Sequence, residues 1–447
     1  MNDWSEAERH VERAHELYEA GRWDDAEREL REALALNPYR AEWHFNLGLT
    51  LEASGRFPEA VRAFRDAHEL EPADELTLIA IATNSLRAED ADGALQWLDA
   101  AQRLAPDRVE PLIHRIEALT RLARHDEAEV AFYQALQIPG DHAAAYANIA
   151  ESLLDRREYQ RAIYCLREAA SLDPGLQRVH ARLAHAYAET GRPERARQLF
   201  LRELRDNPGD IDTLLDLGCL LVDMNRLAEA GEKFRRVLEI ESDHPEAHFL
   251  LADLAARQQR TDDAITGFRT VLQLDPAHPE VRRRLSDLLV RRDATSEARR
   301  LLRQDLRRLK EKPADFSPDE LADLARLLLD VRLPRDAQAV YRLLVGIEPN
   351  DADAWHGLSV ALFLTGDRPQ GVIAARRALR LDSAHVPALH NLALAMIHDR
   401  EWNRARSYIK RALAIEPDDV LLRRLAMTLR LRAFLLLLAR FSNPVKR

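Results

Sequence analysis

The sequence has few cysteines and no long apolar run. Its 447 residues include two cysteines, Cys165 and Cys219, which lie far apart and exclude both a disulfide framework and a cysteine metal site. No uninterrupted run of about 18 apolar residues is present, and the N-terminus MNDWSEAERH lacks the basic and apolar regions of a secretory signal. These absences predict a cytoplasmic protein of bacterial type.

Signatures of catalysis are also missing. The chain contains no Gly-rich phosphate loop, no HExxH and no GxSxG, so we expect no catalytic residue, metal site or cofactor. A net charge of -10 and a pI near 5.9 argue against nucleic-acid binding, which usually needs a basic face. The missing motifs favour a binding protein over an enzyme, and the charge argues against a nucleic-acid partner.

Proline recurs at a fixed spacing of 34 residues, as at Pro38, Pro72, Pro106 and Pro174. With this proline as position 32, twelve repeats begin at residues 7, 41, 75, 109, 143, 177, 211, 245, 279, 318, 352 and 386. Position 20 is Ala in eleven of them, position 8 is nearly always small, and position 24 is mostly large. Fixed periods of this length indicate a stacked repeat architecture.

The residue pattern within each repeat predicts two antiparallel helices. Small residues at positions 8 and 20 let the helix backbones approach, and the large residue at position 24 fills the adjoining groove. Gly21, Gly55, Gly191 and Gly366 fall at position 15, where a turn requires positive φ, and proline at position 32 ends the second helix. One repeat cannot bury its apolar face alone, so the repeats must stack into a solenoid.

The segment HFNLGLTLEASGRFPEAVRAFRDAHELEP resembles the tetratricopeptide repeat family, and the resemblance covers roughly residues 7 to 419. It implies an all-α, right-handed superhelical solenoid of helix-turn-helix units whose concave wall is lined by the first helix of each repeat. It also implies a protein or peptide partner bound in that groove. Because the family places a packing aromatic at position 4, His10, His44, His180 and His248 are expected to be structural.

The repeats predict the domain organisation. Residues 1–6 form a lead-in, 7–312 hold repeats one to nine, and 318–419 hold repeats ten to twelve. Residues 313–317 are either a tolerated insertion or a hinge, followed by a capping box of Ser317 and Glu320. Residues 420–447 form a capping helix and a basic, apolar tail.

The resemblance directs positions 2, 5, 6, 9, 12 and 13 into the groove. Asn46, Asn148 and Asn391 stand at position 6, where an amide can hold a peptide backbone, but three in twelve repeats do not make a continuous ladder. Arg178 and Arg182 follow Asn148 as in the family's carboxylate clamp. The preceding repeat offers Ile113 and Glu117 where the clamp needs Lys and Asn, so the clamp is incomplete.

Charge and apolar groups add further candidates for the groove wall. Asp212 and Asp216 form an acidic block, and Arg283 and Arg284 form a basic one that would register a ligand of complementary charge. Pairing between adjacent repeats is the alternative. Phe45 and Phe249 are candidate peptide pockets, with core packing as the alternative.

The last 28 residues carry a charge of +7 and the rest of the chain carries -17. Residues 420 to about 431 are amphipathic, as expected for a capping helix. After Arg432 leucine occurs on every side of the helical wheel, which leaves no solvent face. The predicted docking residues are Leu431, Phe434, Leu435, Leu436, Leu437, Leu438 and Phe441. They are covered by the chain itself, by a second copy in a homodimer, by a partner protein or by a membrane surface.

The sequence therefore predicts a non-enzymatic scaffold that holds partner polypeptides in its groove and docks or self-associates through its C-terminal helix. A peripheral membrane assembly factor, anchored by the basic and apolar tail, is the first alternative. A non-catalytic subunit of a modifying enzyme is the second.

Overall fold

The computed structural model describes the backbone of residues 3–176, 178–278 and 280–441, and the side chains of residues 4–176, 178–278 and 280–431. Every regular element in these ranges is helical, with twenty-five α-helices and one 3₁₀ turn. The chain divides into two compact units, an N-terminal part (Met1–Arg236) and a C-terminal part (Val237–Arg447).

The helices alternate between the first and second helix of successive repeats. The N-terminal part contains α1 (Asp3–Glu19), α2 (Trp23–Leu36), α3 (Ala41–Ala53), α4 (Phe57–Leu70), α5 (Glu75–Arg87), α6 (Ala91–Leu104), α7 (Glu110–Arg121), α8 (His125–Ala135), α9 (Ala143–Asp155), α10 (Tyr159–Leu172), α11 (Val179–Glu189), α12 (Pro193–Asp206) and α13 (Ile211–Asp223). Helix α14 (Leu227–Ile240) crosses its boundary.

The C-terminal part continues the same alternation. It contains α15 (Pro245–Arg257), α16 (Thr261–Leu274), α17 (Val281–Arg291), α18 (Thr295–Glu311), a 3₁₀ turn (Pro313–Asp315), α19 (Pro318–Asp330), α20 (Pro334–Ile347), α21 (Ala352–Thr365), α22 (Arg368–Leu381), α23 (Val386–His398), α24 (Trp402–Ile415) and α25 (Val420–Phe441). The predicted all-α solenoid of helix-turn-helix repeats is confirmed.

The core of each part lies between the paired helices. All eleven alanines at position 20 are 0% exposed, and the aromatic rings at position 24 fill the space beside them. Gly48 shows why position 8 is small, because a Cβ there would lie 2.5 Å from the Phe64 ring. Gly218 stands in the same relation to Phe234. Close backbone approach therefore fixes these positions in sequence.

The turn between the two helices of a repeat is left-handed in all twelve repeats. Glycine supplies this conformation at the four positions that the sequence identified, with φ of +70° to +91°. The other eight repeats use residues with a Cβ at φ of +55° to +64°, namely Glu89, Ala123, Arg157, Asn225, Gln259, Asp293, Arg332 and Arg400. The tertiary fold therefore imposes the turn even where the sequence gives no glycine.

Position 4 has a recurring structural role. His44 Nε2 lies 2.9 Å from the carbonyl oxygen of Pro38, and Trp355 Nε1 donates to Pro349 O over the same distance. His248 makes the equivalent contact six residues back. Arg423 of α25 also donates to Pro417 O, at 2.6 Å. Helix α25 therefore takes the register of the first helix of a further repeat.

The lead-in and residues 313–317 both pack against neighbouring helices. The lead-in at residues 1–6 is helical from Asp3, because Trp4 packs 6.3 Å from the Trp43 ring while the Arg40 guanidinium lies 4.7 Å from the Trp4 ring. The boundary between the two compact parts lies at residues 236 and 237, and an insertion or hinge at 313–317 stays a prediction. Residues 313–317 are packed into the C-terminal part, where Phe316 is 8% exposed and Ser317 forms the predicted capping box.

Helix length and hydropathy also bear on membrane contact. None of the helices in the described part of the chain combines the length and apolar character needed to cross a membrane.

Candidate functional site

The first helices of the N-terminal part are joined by polar contacts between successive repeats. Asn84 Nδ2 donates to Glu52 Oε2 at 3.0 Å, and Arg87 Nη1 donates to Glu52 Oε1 at 2.5 Å. One repeat further on, Arg121 Nη1 donates to the carbonyl oxygen of Leu86. These bonds fix the spacing of adjacent first helices and so hold the wall that they form.

The candidates on α3 lie at the edge between wall and core. Phe45 is half-buried, and its ring centroid lies 5.2 Å from that of Phe64 in an edge-to-face contact. Asn46 is partly exposed. Its peptide-binding role stays a prediction.

The residues of the incomplete clamp already bond to other residues of this chain. Asn148 donates one amide hydrogen to the carbonyl oxygen of Ile113 at 3.1 Å. Arg182 Nη2 lies 3.1 Å from Glu151 Oε2, and Arg178 Nη1 lies 3.0 Å from Asp212 Oδ2. A peptide carboxylate would have to displace two carboxylates from these guanidinium groups.

The acidic block on α13 is formed by two exposed side chains, Asp212 and Asp216. Asp212 is paired with Arg178. Partial desolvation of its carboxyl group raises the pKa of Asp216 above its ordinary value, against the opposing effects of His185 and Arg178.

The first helices of the C-terminal part line an open cavity of about 880 Å³ between α15, α17 and α19. Phe268, Leu288 and Leu327 contribute its apolar lining. The charged lining is mixed, with six carboxylates and five guanidinium groups: Asp253, Glu280, Asp287, Asp319, Glu320, Asp323, Arg257, Arg283, Arg284, Arg291 and Arg326. The basic block predicted at Arg283 and Arg284 therefore faces acidic residues on the neighbouring helices.

Ion pairs hold this lining in place. Arg283 is 8% exposed, and its Nη2 lies 2.6 Å from Glu320 Oε1. Burial would raise the pKa of Glu320, but the Ser317 N–H and Arg283 outweigh it and hold that pKa below its ordinary value. Arg284 is half-exposed and reaches Asp253 at 3.8 Å. These contacts fit the alternative given for the basic block, in which the arginines pair with residues of adjacent repeats.

Phe249 lies in the core. Its side chain is 9% exposed, and its ring centroid lies 4.7 Å from His278 and 5.7 Å from Phe268. These contacts give Phe249 a packing role, and they differ from the partly exposed setting of Phe45.

Asn391 contacts a histidine on the preceding first helix. Its Nδ2 lies 3.0 Å from His356 Nε2, so the amide donates to a neutral imidazole. Burial, together with the adjacent His385, lowers the pKa of His356 to about 4. His385 itself lies 2.9 Å from Asp353. This part of the wall is therefore uncharged at His356 near neutral pH.

Several wall residues were missed from the sequence. Asn84 is 0% exposed, and Glu52, Arg87 and Glu151 make the contacts described above. Polar side chains at positions 9, 10, 12 and 13 of consecutive repeats were the available signal, since the resemblance already directs most of those positions to the wall. Among the described residues no group of three His, Cys, Asp or Glu side chains could hold a metal ion.

Helix α25 presents an uncovered apolar face. Met427 at its position 8 is 61% exposed and Leu431 is 54% exposed, whereas Leu422 and Leu429 are buried against the preceding repeat. The side chains of the remaining predicted docking residues lie outside the described residues: Phe434, Leu435, Leu436, Leu437, Leu438 and Phe441.

Sequence comparisons agree with this architecture. Profiles described as tetratricopeptide repeat match residues 11–75, 153–217, 215–279, 255–314, 322–386 and 388–421. The matched ranges lie in both parts of the chain and together cover most of it.

Similar proteins match this chain at low identity. The human protein O-mannosyl-transferase TMTC3 is 25% identical over an alignment of 229 residues, and the match covers 47% of this chain and 25% of that protein. A tetratricopeptide repeat protein from Parabacteroides merdae matches at 18% identity and a TM-score of 0.49, covering 56% of this chain and 99% of that one. Yeast Tom70 matches at 15% identity and a TM-score of 0.40, with 96% of each chain covered. On the repeat profiles and the helix pairs, the chain belongs to the tetratricopeptide repeat family.

Proposed function

We propose that the chain is a non-enzymatic scaffold that binds extended segments of partner polypeptides on its first-helix walls. The cavity between α15, α17 and α19 carries this proposal, because its volume of about 880 Å³ accommodates several side chains. Pockets of about 300–1,000 Å³ are the usual size for a bound ligand. The cavity also lies on the wall where the family resemblance directs a peptide.

The lining favours a peptide with both signs of charge. Each guanidinium in the cavity already has a carboxylate nearby, and exposed ion pairs contribute only about 0–1 kcal/mol each. A peptide with alternating acidic and basic residues can replace these pairs with new ones at little cost. A peptide of one charge sign would leave half of the lining uncompensated.

Selection of random peptides on the purified full chain tests the groove, followed by fluorescence anisotropy with the recovered peptides. The cavity variant combines Arg284→Glu with Arg291→Glu and reverses two charges in the cavity lining. The control combines Arg62→Glu with Arg167→Glu and makes the same charge change on the second helices. We expect about a tenfold weaker Kd for the cavity variant and no change for the control. Equal Kd values, or no enriched peptide, would reject the groove as the binding site.

Helix α25 is proposed as a second docking element, and its occupant is a partner helix with an apolar stripe and acidic flanks. In the twelve repeats, position 8 packs against a second helix, but Met427 at this position is exposed. Arg423, Arg424 and Arg430 surround it, and the helix contains no acidic residue. This charge disfavours pairing with a second copy of α25 and favours an acidic partner.

A synthetic amphipathic peptide with a leucine stripe and glutamate flanks serves as the probe. Met427→Glu should abolish its binding to the full chain, whereas Thr428→Glu, the exposed neighbour, should retain it. Sedimentation of the chain without peptide reports self-association. Self-association that Met427→Glu removes would assign this face to a second copy and overturn the partner helix.

The absence of catalysis is also a proposal. A similar protein is named an O-mannosyl-transferase, and this chain spans only about a quarter of its length. Incubation of the purified chain with mannosyl donors and acceptor peptides should give no transfer product. Product formation that depends on wall residues such as Arg284 would overturn the non-enzymatic assignment.

A further inference from the structure

The last four second helices of the C-terminal part carry a strong excess of positive charge. Helices α18, α20, α22 and α24 together contain 16 basic and 4 acidic residues. Helices α22 and α24 contain four basic residues each and no acidic residue. The second helices α2 to α12 contain 17 acidic and 11 basic residues. The excess is therefore a local feature of an otherwise acidic chain.

The longest second helix arranges its cations in a stripe. Arg300, Arg303, Arg307 and Lys310 are all exposed and are spaced by three and four residues, which puts them on one face of α18. None of them forms an ion pair with a described carboxylate, in contrast with Arg283, Arg284 and Arg291 on the wall. Four unpaired charges on one helix face repel one another and leave their guanidinium and ammonium donors free for an anionic ligand.

The next two second helices, α20 and α22, carry further exposed arginines. Arg335 and Arg342 are exposed on α20, and Arg376 and Arg380 are exposed on one face of α22. These four arginines likewise form no ion pair with a described residue. The basic surface is therefore broad, since it covers successive second helices of the same stack.

Exposed aliphatic side chains lie among these cations. Leu343 and Ile347 on α20 are 37% and 52% exposed, Ile373 on α22 is 52% exposed, and Ile415 on α24 is 44% exposed. Ile373 shares its helix face with Arg376 and Arg380. No large aromatic side chain is exposed on these four helices. The surface thus combines donors for phosphate with aliphatic groups and lacks platforms for base stacking.

We propose that this basic second-helix surface binds the headgroup region of an anionic phospholipid membrane. Arginine donates in pairs to phosphate oxygens, and exposed aliphatic side chains between the cations can enter the boundary between headgroups and acyl chains. A nucleic acid would use the charges but not the aliphatic groups, and sequence-tolerant binding of single strands uses aromatic stacking. The inference stands apart from the groove, because the wall and this surface are on different helices.

Vesicle co-sedimentation of the full chain tests the proposal. The vesicles contain phosphatidylcholine alone or mixed with phosphatidylglycerol. The test variant is Arg300→Glu, Arg303→Glu and Arg307→Glu. The control is Arg62→Glu, Arg167→Glu and Arg205→Glu, which makes the same change in net charge on exposed second-helix positions of the N-terminal part. Circular dichroism establishes that both variants are folded.

We expect the wild type and the control to bind only the anionic vesicles, with binding that weakens as salt is added. The test variant should bind on the order of a hundredfold more weakly, because each cation near a membrane surface contributes about a factor of five. Equal binding of the two variants would overturn the proposal. Stripe-dependent binding of duplex DNA in a gel shift, without vesicle binding, would assign the surface to nucleic acid and also overturn it.

Discussion

The N-terminal and C-terminal parts share one internal plan and differ in surface charge. Residues 1–236 contain 45 acidic and 30 basic residues, a formal charge of -15, whereas residues 237–447 contain 30 and 35, a charge of +5. Their interiors match closely. Position 20 is a fully buried alanine on both sides of the boundary, as at Ala60 and Ala264, and position 24 is a buried ring, as at Phe64 and Phe268.

The difference shows which positions the fold constrains. Positions 8, 20 and 24 are constrained by the close approach of two helices, so the same residue types recur in most repeats. The outward positions of the second helices contact solvent, so packing does not restrict their charge. The two parts can therefore differ in their ligands while their cores are built from the same residue types.

The largest effect is expected at position 24. Phe64→Ala and Phe268→Ala each remove a ring that is 0% exposed, and each should lower the free energy of unfolding by about 3–5 kcal/mol. Hydrogen exchange combined with urea unfolding resolves the two parts. A large loss at one site and none at the other would show that the two interiors are not equivalent.

A smaller loss of stability is expected where a glycine allows two helices to approach closely. In the N-terminal part Gly48→Ala places a methyl group 2.5 Å from the Phe64 ring, and in the C-terminal part Gly357→Ala meets the Tyr341 ring. Each should cost about 1–3 kcal/mol of unfolding free energy by overpacking. Gly346→Ala is the control, because that helical glycine has no neighbour within 4 Å. It should be neutral or slightly stabilising, and a loss there would contradict the explanation.

The C-terminal part should lose stability in mild acid. Its folded state keeps His356 neutral, with a pKa of about 4 against an ordinary value near 6.5. Between these values the unfolded chain binds more protons, so the free energy of unfolding falls as pH decreases, by about 2 kcal/mol from pH 7 to pH 5. His356→Gln should flatten this dependence in urea titrations. Parallel profiles for the wild type and the variant would exclude His356 as the cause.

The smallest effect concerns the turns. Ala123→Gly in the N-terminal part and Arg332→Gly in the C-terminal part relieve a Cβ at φ of +55° and +60°. Each should raise the free energy of unfolding by about 0.5–1 kcal/mol, since the left-handed conformation costs about 1–2 kcal/mol and glycine returns part of this as entropy. Gly55→Ala, at φ of +76°, should act in the opposite direction. Destabilisation by both glycine variants would contradict the turn assignment.

The fold was predictable from the sequence because each weak residue preference recurs at the same position across twelve repeats. The helix pairs, the buried alanines and the capping box at Ser317 were all derived from spacing. The eight left-handed turns without glycine were not, because the two packed helices impose them and leave no residue preference to detect. The helical start at Asp3 was missed because it depends on the contact between Trp4 and Trp43.

The candidate site was less predictable than the fold. Arg182 and Arg283 were placed on the wall by position, but their partners Glu151 and Glu320 lie 31 and 37 residues away in other repeats. Position alone also did not distinguish the buried Phe249 from the half-buried Phe45. The cation stripe on α18 was detectable, because assigning charge to each helix face reveals it without coordinates.

Hydrogen exchange of the full chain with and without a selected peptide tests the central claim most directly. The scaffold account predicts that protection increases in the first helices α15, α17 and α19 and not in α16, α18 and α20, and that the peptide is recovered with unchanged mass. Protection of the second helices, or a peptide that returns covalently modified, would contradict it.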